Sequence, residues 1–138
     1  MRNPVFKLKA PLPTEDDEAT CLIQWARWQK WKGKRLSDLL VMIPNGAYLG
    51  GDVKQRAITK SKLKRMGFRN GVFDYILPVP RGTAPGLWLE LKRRQLGIVS
   101  PAQAVFKLDM EQLGWVCAIC EGWEAAKDEI NLYLGVLS

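Results

Sequence analysis

Apolar and polar positions alternate along residues 87–92: Leu87, Leu89 and Leu91 fall on one face of an extended strand, and Trp88, Glu90 and Lys92 on the other. Residues 72–77 read as a second strand, joined to the first by a loop rich in Pro and Gly. Further upstream, Thr14 after Pro13 is an N-cap followed by the acids Glu15, Asp16 and Asp17, which suit the positive end of a helix. That helix is expected to run to about Trp31 and to stop near Gly33. Residues 39–43 form a short apolar run ended by Pro44-Asn45-Gly46, hence a strand and turn. A basic helix is expected over about 54–66, closed by Gly67. Ser100-Pro101-Ala102-Gln103 is a helix start with cap, N1 proline and capping-box glutamine together. That helix ends at Gly114, a strand follows at 115–120, and a last helix occupies about 123–134. The order α-β-α-β-β-α-β-α predicts an α/β domain with a mixed four-stranded sheet, one domain over residues 1–138.

The loop between the two central strands is centred on Gly82. Asp74 and Glu90 each lie eight residues from that centre, so a hairpin fold opposes them on one sheet face. Two facing carboxylates repel inside a domain unless a cation sits between them, and Mg²⁺ suits an oxygen-rich site. Lys92 would project beside such a metal, where an ammonium can orient water or stabilise charge on a phosphate. The same spacing also allows a plain cross-strand salt bridge from Lys92 to either acid. Glu18 shares a helical face with Leu22 and Trp25, and a carboxylate on an apolar face needs a partner or a metal.

Charge changes the picture further. The net charge of +7 is clustered: Lys54, Arg56, Lys60, Lys62, Lys64, Arg65 and Arg69 meet no acid between residues 53 and 73. Arg27, Lys30, Lys32, Lys34 and Arg35 form a second cluster, and Lys92, Arg93 and Arg94 a third. Such patches fit a polyanion, with nucleic acid the expected partner and a solvated surface the alternative. No histidine is present, which removes Ser-His-Asp and Cys-His catalysis and leaves carboxylates, lysine or a metal. Cys117 and Cys120 form a lone CxxC whose members point to opposite faces of a strand, so they read as buried thiols. No stretch is long and apolar enough for a membrane span or a signal peptide, and a cytosolic protein is expected. Trp25, Trp28 and Trp31 interleave with Arg27 and Lys30; core or interface packing is the expected role, with base stacking the alternative for an exposed ring.

Asp74, then Glu90-Leu91-Lys92, then a helix opening with Gln103, resembles the PD-(D/E)XK nuclease superfamily. With Ile43-Pro44-Asn45-Gly46, the basic helix and its Gly67, Gly71-Val72-Phe73-Asp74 and Gly86-Leu87-Trp88-Leu89, the set is similar to the VRR-NUC (virus-type replication-repair nuclease) family. The resemblance implies Mg²⁺- or Mn²⁺-dependent hydrolysis of DNA phosphodiesters, with no small-molecule cofactor. It places metal on Asp74, Glu90, the Leu91 carbonyl and Glu18, and catalytic roles on Lys92 and Gln103. Gln103 has its capping-box role as an equal alternative. The basic residues 54–69 named above, with Arg93 and Arg94, would hold DNA. Where the family carries proline before the aspartate, this chain has Phe73, which implies an altered backbone approach with the ligands intact. Free-standing members of this kind resemble homodimeric Holliday-junction resolvases, which makes four-way junctions and a DNA-repair role the expectation. A monomeric flap or nicking repair nuclease and a catalytically silent DNA-binding module are the alternatives.

Overall fold

The structure, a computed structural model, describes residues 11–44 and 50–136. Its elements are α1 (Glu15–Arg27), β1 (Lys30–Trp31), β2 (Lys34–Arg35), α2 (Leu36–Leu39), β3 (Val41–Met42), α3 (Val53–Arg65), β4 (Tyr75–Leu77), β5 (Leu87–Lys92), α4 (Pro101–Gln112), β6 (Val116–Glu121) and α5 (Trp123–Leu134). The main sheet runs β3-β4-β5-β6, antiparallel except for the parallel β5–β6 pair that α4 connects. This is the mixed four-stranded α/β sheet that the chain's patterning predicts. Asn45 and Gly46 of the expected turn lie outside the described residues. Among the described residues no helix is long and apolar enough to cross a membrane.

Alternation in β5 separates two layers. Leu87, Leu89 and Leu91 join Leu22 and Ala26 of α1 and Ala126, Ile130 and Leu134 of α5 in the main core. On the opposite face Trp88 meets Phe106 of α4 edge to face at 5.0 Å, and Phe106 also packs on Phe73 at 5.2 Å. Phe73, where the family's proline would stand, is therefore wholly buried as an anchor between α4 and the strand entry.

Two stretches depart from expectation. Helix α1 ends at Arg27, four residues early, because Lys32 and Gly33 both adopt positive φ (48° and 79°). Two such residues in a row are the twist-matched turn of a tight hairpin, and β1–β2 pair Lys30 with Arg35 across it. Next, Leu36–Leu39 turns into one short helix, leaving only Val41–Met42 of the expected 39–43 strand. The basic helix forms as expected and is sealed at both ends. Asp52 and Gln55 make a capping box, while Phe68 and Gly67 N–H groups return to the Leu63 and Lys64 carbonyls. No residue of α3 is buried, and its capping hydrogen bonds satisfy backbone groups at both ends.

Gly71 lets the chain enter β4 close to α4. At φ +82° a Cβ there would lie 2.4 Å from the Ala102 carbonyl carbon and 2.7 Å from the Gln103 nitrogen. Only glycine allows that approach, and it brings Asp74 and the first turn of α4 to the same end of the sheet.

Candidate active site

The register Tyr75↔Leu89, Ile76↔Trp88, Leu77↔Leu87 is centred on residue 82, the symmetry expected from the hairpin. One step outward from the Tyr75–Leu89 pair, the Asp74 N–H donates to Glu90 Oε2 at 3.0 Å, and the Leu91 N–H donates to Asp74 Oδ2 at 3.0 Å. Asp74, Glu90, Leu91, Lys92 and Gln103 line one cleft of about 320 Å³, flanked by the first turns of α1 and α4.

Gln103 links fold and site through one oxygen. Its Oε1 accepts the Ser100 N–H at 3.0 Å, closing the capping box, and accepts Lys92 Nζ at 2.8 Å. Its Nε2 donates to Glu90 Oε1 at 2.6 Å. The capping role and the lysine-orienting role, alternatives in the sequence, coexist. Reversing the amide would set donors against Lys92 and the Ser100 N–H, so the network admits one orientation. Lys92 is only 8% exposed and also lies 3.3 Å from Glu90 Oε1.

This geometry makes the acids costly to ionise. Burial, and then the charge of Asp74, pushes the Glu90 carboxyl up to about 7 despite Lys92. Burial also raises Asp74, and the charge of Glu15 adds to that. Donors here are oxygens only, which suits a hard cation. Among the described residues no group of three or more His, Cys, Asp or Glu side chains is arranged to hold a metal ion. A pair of carboxylates with a backbone carbonyl is a donor set that fits Mg²⁺, which retains water and takes substrate phosphate in its remaining positions.

Glu18 is placed elsewhere. It is 1% exposed, accepts Arg94 Nε at 2.7 Å, and accepts the Trp123 N–H at 2.7 Å. Gly122 at the start of α5 has no side chain to cap it, so Glu18 supplies that cap from α1. The Arg94 hydrogen bond holds Glu18 below the usual carboxylate range. Its partner on the apolar face is thus an arginine and a helix end, away from the cleft. Glu15, passed over in the sequence as a first-turn acid, instead lines the cleft with Asp16.

The cationic residues divide. Lys54, Lys60, Lys62, Lys64 and Arg65 are exposed on α3 and form no ion pair among the described residues; Arg56 donates to its own Gly51 carbonyl. Arg69 pairs with Asp109 at 2.6 Å, Arg93 holds the Leu12 and Pro13 carbonyls, and Arg94 is engaged by Glu18 and Glu124. Those three brace the fold. Cys120 is buried and Cys117 half-buried; burial raises their thiols to about 12 and about 11, so neither is reactive near neutrality. Trp25 and Trp31 pack against the core, while Trp28 stands 86% exposed.

No family model matches the chain, and no curated protein does. Among solved structures, one described as a VRR_NUC domain protein is 27% identical, with a TM-score of 0.77, over 94% of this chain and 93% of that one. The fold is thus of the PD-(D/E)XK nuclease-like class. Motif order, element order and this likeness agree, and the chain is similar throughout its length to a VRR-NUC domain.

Two outcomes follow from the charges. A carboxyl raised in the folded state stabilises below its unfolded value, near 4.5, and loses that contribution as pH rises through about 7. In EDTA, the melting temperature should therefore fall between pH 5 and pH 8, by the equivalent of about 3 kcal/mol at most. Glu90→Gln should flatten that dependence; an unchanged profile in thermal melts would refute the frustrated pair. Glu18→Ala should cost about 3 kcal/mol, as for a broken buried ion pair. In the surviving folded fraction, cation binding in the cleft should persist, and its loss at full folding would return Glu18 to the metal site.

Proposed function

We propose that this protein is a metal-dependent DNA nuclease whose site is Asp74, Glu90, Leu91, Lys92 and Gln103. The observation that carries this reading is the facing pair of half-buried Asp74 and buried Glu90, opened to a cleft, with Lys92 clamped beside it by Gln103. Asp74, Glu90 and the Leu91 carbonyl would hold Mg²⁺ or Mn²⁺, with Glu15 facing the same cleft. Bound there, a divalent cation supplies Lewis-acid stabilisation of a phosphodiester and a water of lowered pKa. Lys92 contributes a fixed positive charge for the phosphate or the attacking water, at an angle set by the Gln103 oxygen. Gln103 itself is a positioning residue, since its polar atoms are occupied by Lys92, Glu90 and Ser100.

The exposed cations of α3 form the surface for duplex phosphates, and branched DNA is the substrate this arrangement fits best. A homodimer that resolves four-way junctions is the first form of this reading. Helix α4 supports it: Pro101, Ala104, Val105 and Leu108 are exposed along one side, next to the edge strand β6. A two-fold dimer through that stripe would present two cleavage sites on one junction. The second reading, a monomeric flap or nicking nuclease, is favoured by a groove that continues from the cleft along α1.

The test uses labelled four-way junction, flap, duplex and single strand, with and without Mg²⁺, alongside light scattering. Wild type should cut branched DNA only with metal. Lys92→Ala should lose at least a hundredfold in rate, in the range of removing one transition-state donor, with DNA binding retained. Cleavage undiminished in EDTA, or at wild-type rate in Lys92→Ala, contradicts the reading. A monomer that cuts flaps as readily as junctions selects the second form.

A further inference from the structure

Resting on the nuclease reading, we infer that the cleft extends into a binding track for unpaired DNA, which runs along α1 and ends on Trp28. Three hollows lie end to end. The active-site cleft shares Ala19, Met42 and Tyr75 with a second hollow, which in turn shares Gln24 and Arg27 with a third. Asp16, Ala19, Thr20, Ile23, Gln24 and Arg27 recur at three- and four-residue steps, so one face of α1 forms the continuous wall. From residue 16 to residue 27 that wall is about 16 Å long at the helical rise. Roughly five nucleotides stacked at about 3.4 Å per step would span it.

The chemistry of the track changes along its length. Acids line only its inner end, where a cation would sit. The two outer hollows have no carboxylate in their walls and contain Arg27 and Arg35, neither of which forms an ion pair among the described residues. Between them Ile23, Met42 and Tyr75 offer an apolar floor. At the far end stands Trp28, whose neighbours in sequence, Trp25 and Trp31, are both packed inward. An exposed indole that shares a hollow with Arg27 and Arg35 suits the face of a base and its phosphates. Paired bases hide their faces within the stack, so this platform selects an unpaired strand. Duplex has its own surface in the cations of α3. A branch with several unpaired nucleotides beside the phosphate to be cut would use this track and a fully paired four-way junction would not, so the track favours the second form of the nuclease reading.

Binding in EDTA separates this inference from the nuclease reading, because no cleavage is needed. The probes are fluorescein-labelled dT10 and a blunt duplex, followed by anisotropy. Wild type should bind both. Trp28→Ala should weaken dT10 binding roughly tenfold, as for loss of one base stack, and change duplex binding less than twofold. Trp28→Phe should recover most of the loss. Arg27→Ala combined with Arg35→Ala should reduce the salt slope for dT10 by about 1.4, at roughly 0.7 per phosphate on a single strand. Neutralising Lys60, Lys62 and Lys64 should do the reverse, weakening duplex more than dT10. The track is refuted if wild type does not bind dT10, if Trp28→Ala binds it as wild type does, or if that variant loses affinity equally for both probes. Circular dichroism confirms folding, which an exposed side chain leaves intact. If dT10 binding follows Trp28 but no DNA is cut with Mg²⁺, the nuclease reading fails and the track stands.

Discussion

Everything at this site depends on two carboxylates set against each other, Asp74 just before β4 and Glu90 in β5, where burial disfavours the charged form of each. The backbone enforces the arrangement. Asp74 N–H binds Glu90 and Leu91 N–H binds Asp74, so each acid is tied to the strand that bears the other. Neither can swing away without leaving a buried donor unpaired, which costs about 1–3 kcal/mol. The metal-free protein thus carries a standing electrostatic penalty, and Lys92 relieves only part of it. Pre-organisation of this kind is what a cation site requires: the donors stay in place before the ion arrives.

The surrounding fold can be understood as support for that pair. Gly71 allows the chain to reach β4 against α4, Phe73 locks the entry beneath Phe106, and the first turn of α4 presents Gln103. Because one glutamine oxygen both caps the helix and holds Lys92, the helix cannot unwind at its start without releasing the lysine. On the other layer, Glu18 and Arg94 tie α1, the segment after β5 and the start of α5 into one unit. This fixes the wall of the cleft without entering it. Local helix chemistry and site geometry are the same bonds in both cases.

Much of this was legible in the sequence. The hairpin centre follows from counting equal arms, so the facing of Asp74 and Glu90 could be read from spacing, and the strand period separated Lys92 from the leucines. Ser100-Pro101-Ala102-Gln103 announces its own helix. Where reading failed, the deciding contact came from far along the chain. A helical wheel puts Glu18 on the inner face, but not what meets it there; Arg94 and Trp123 are 76 and 105 residues away. Glu15 was hidden for the opposite reason, since a first-turn acid already has a sufficient local explanation. The Lys32-Gly33 turn was masked by helix-forming neighbours, and it decides which tryptophan faces solvent.

The central claim is that Asp74 and Glu90 form a cation site, and calorimetric titration of the purified protein with Mg²⁺ and with Mn²⁺ tests it most directly. The account predicts saturable binding by wild type and at least tenfold weaker binding by Asp74→Asn, because one of its few charged oxygen ligands is lost. Equal affinity in wild type and in Asp74→Asn, or no binding of either ion by folded wild type, would contradict it.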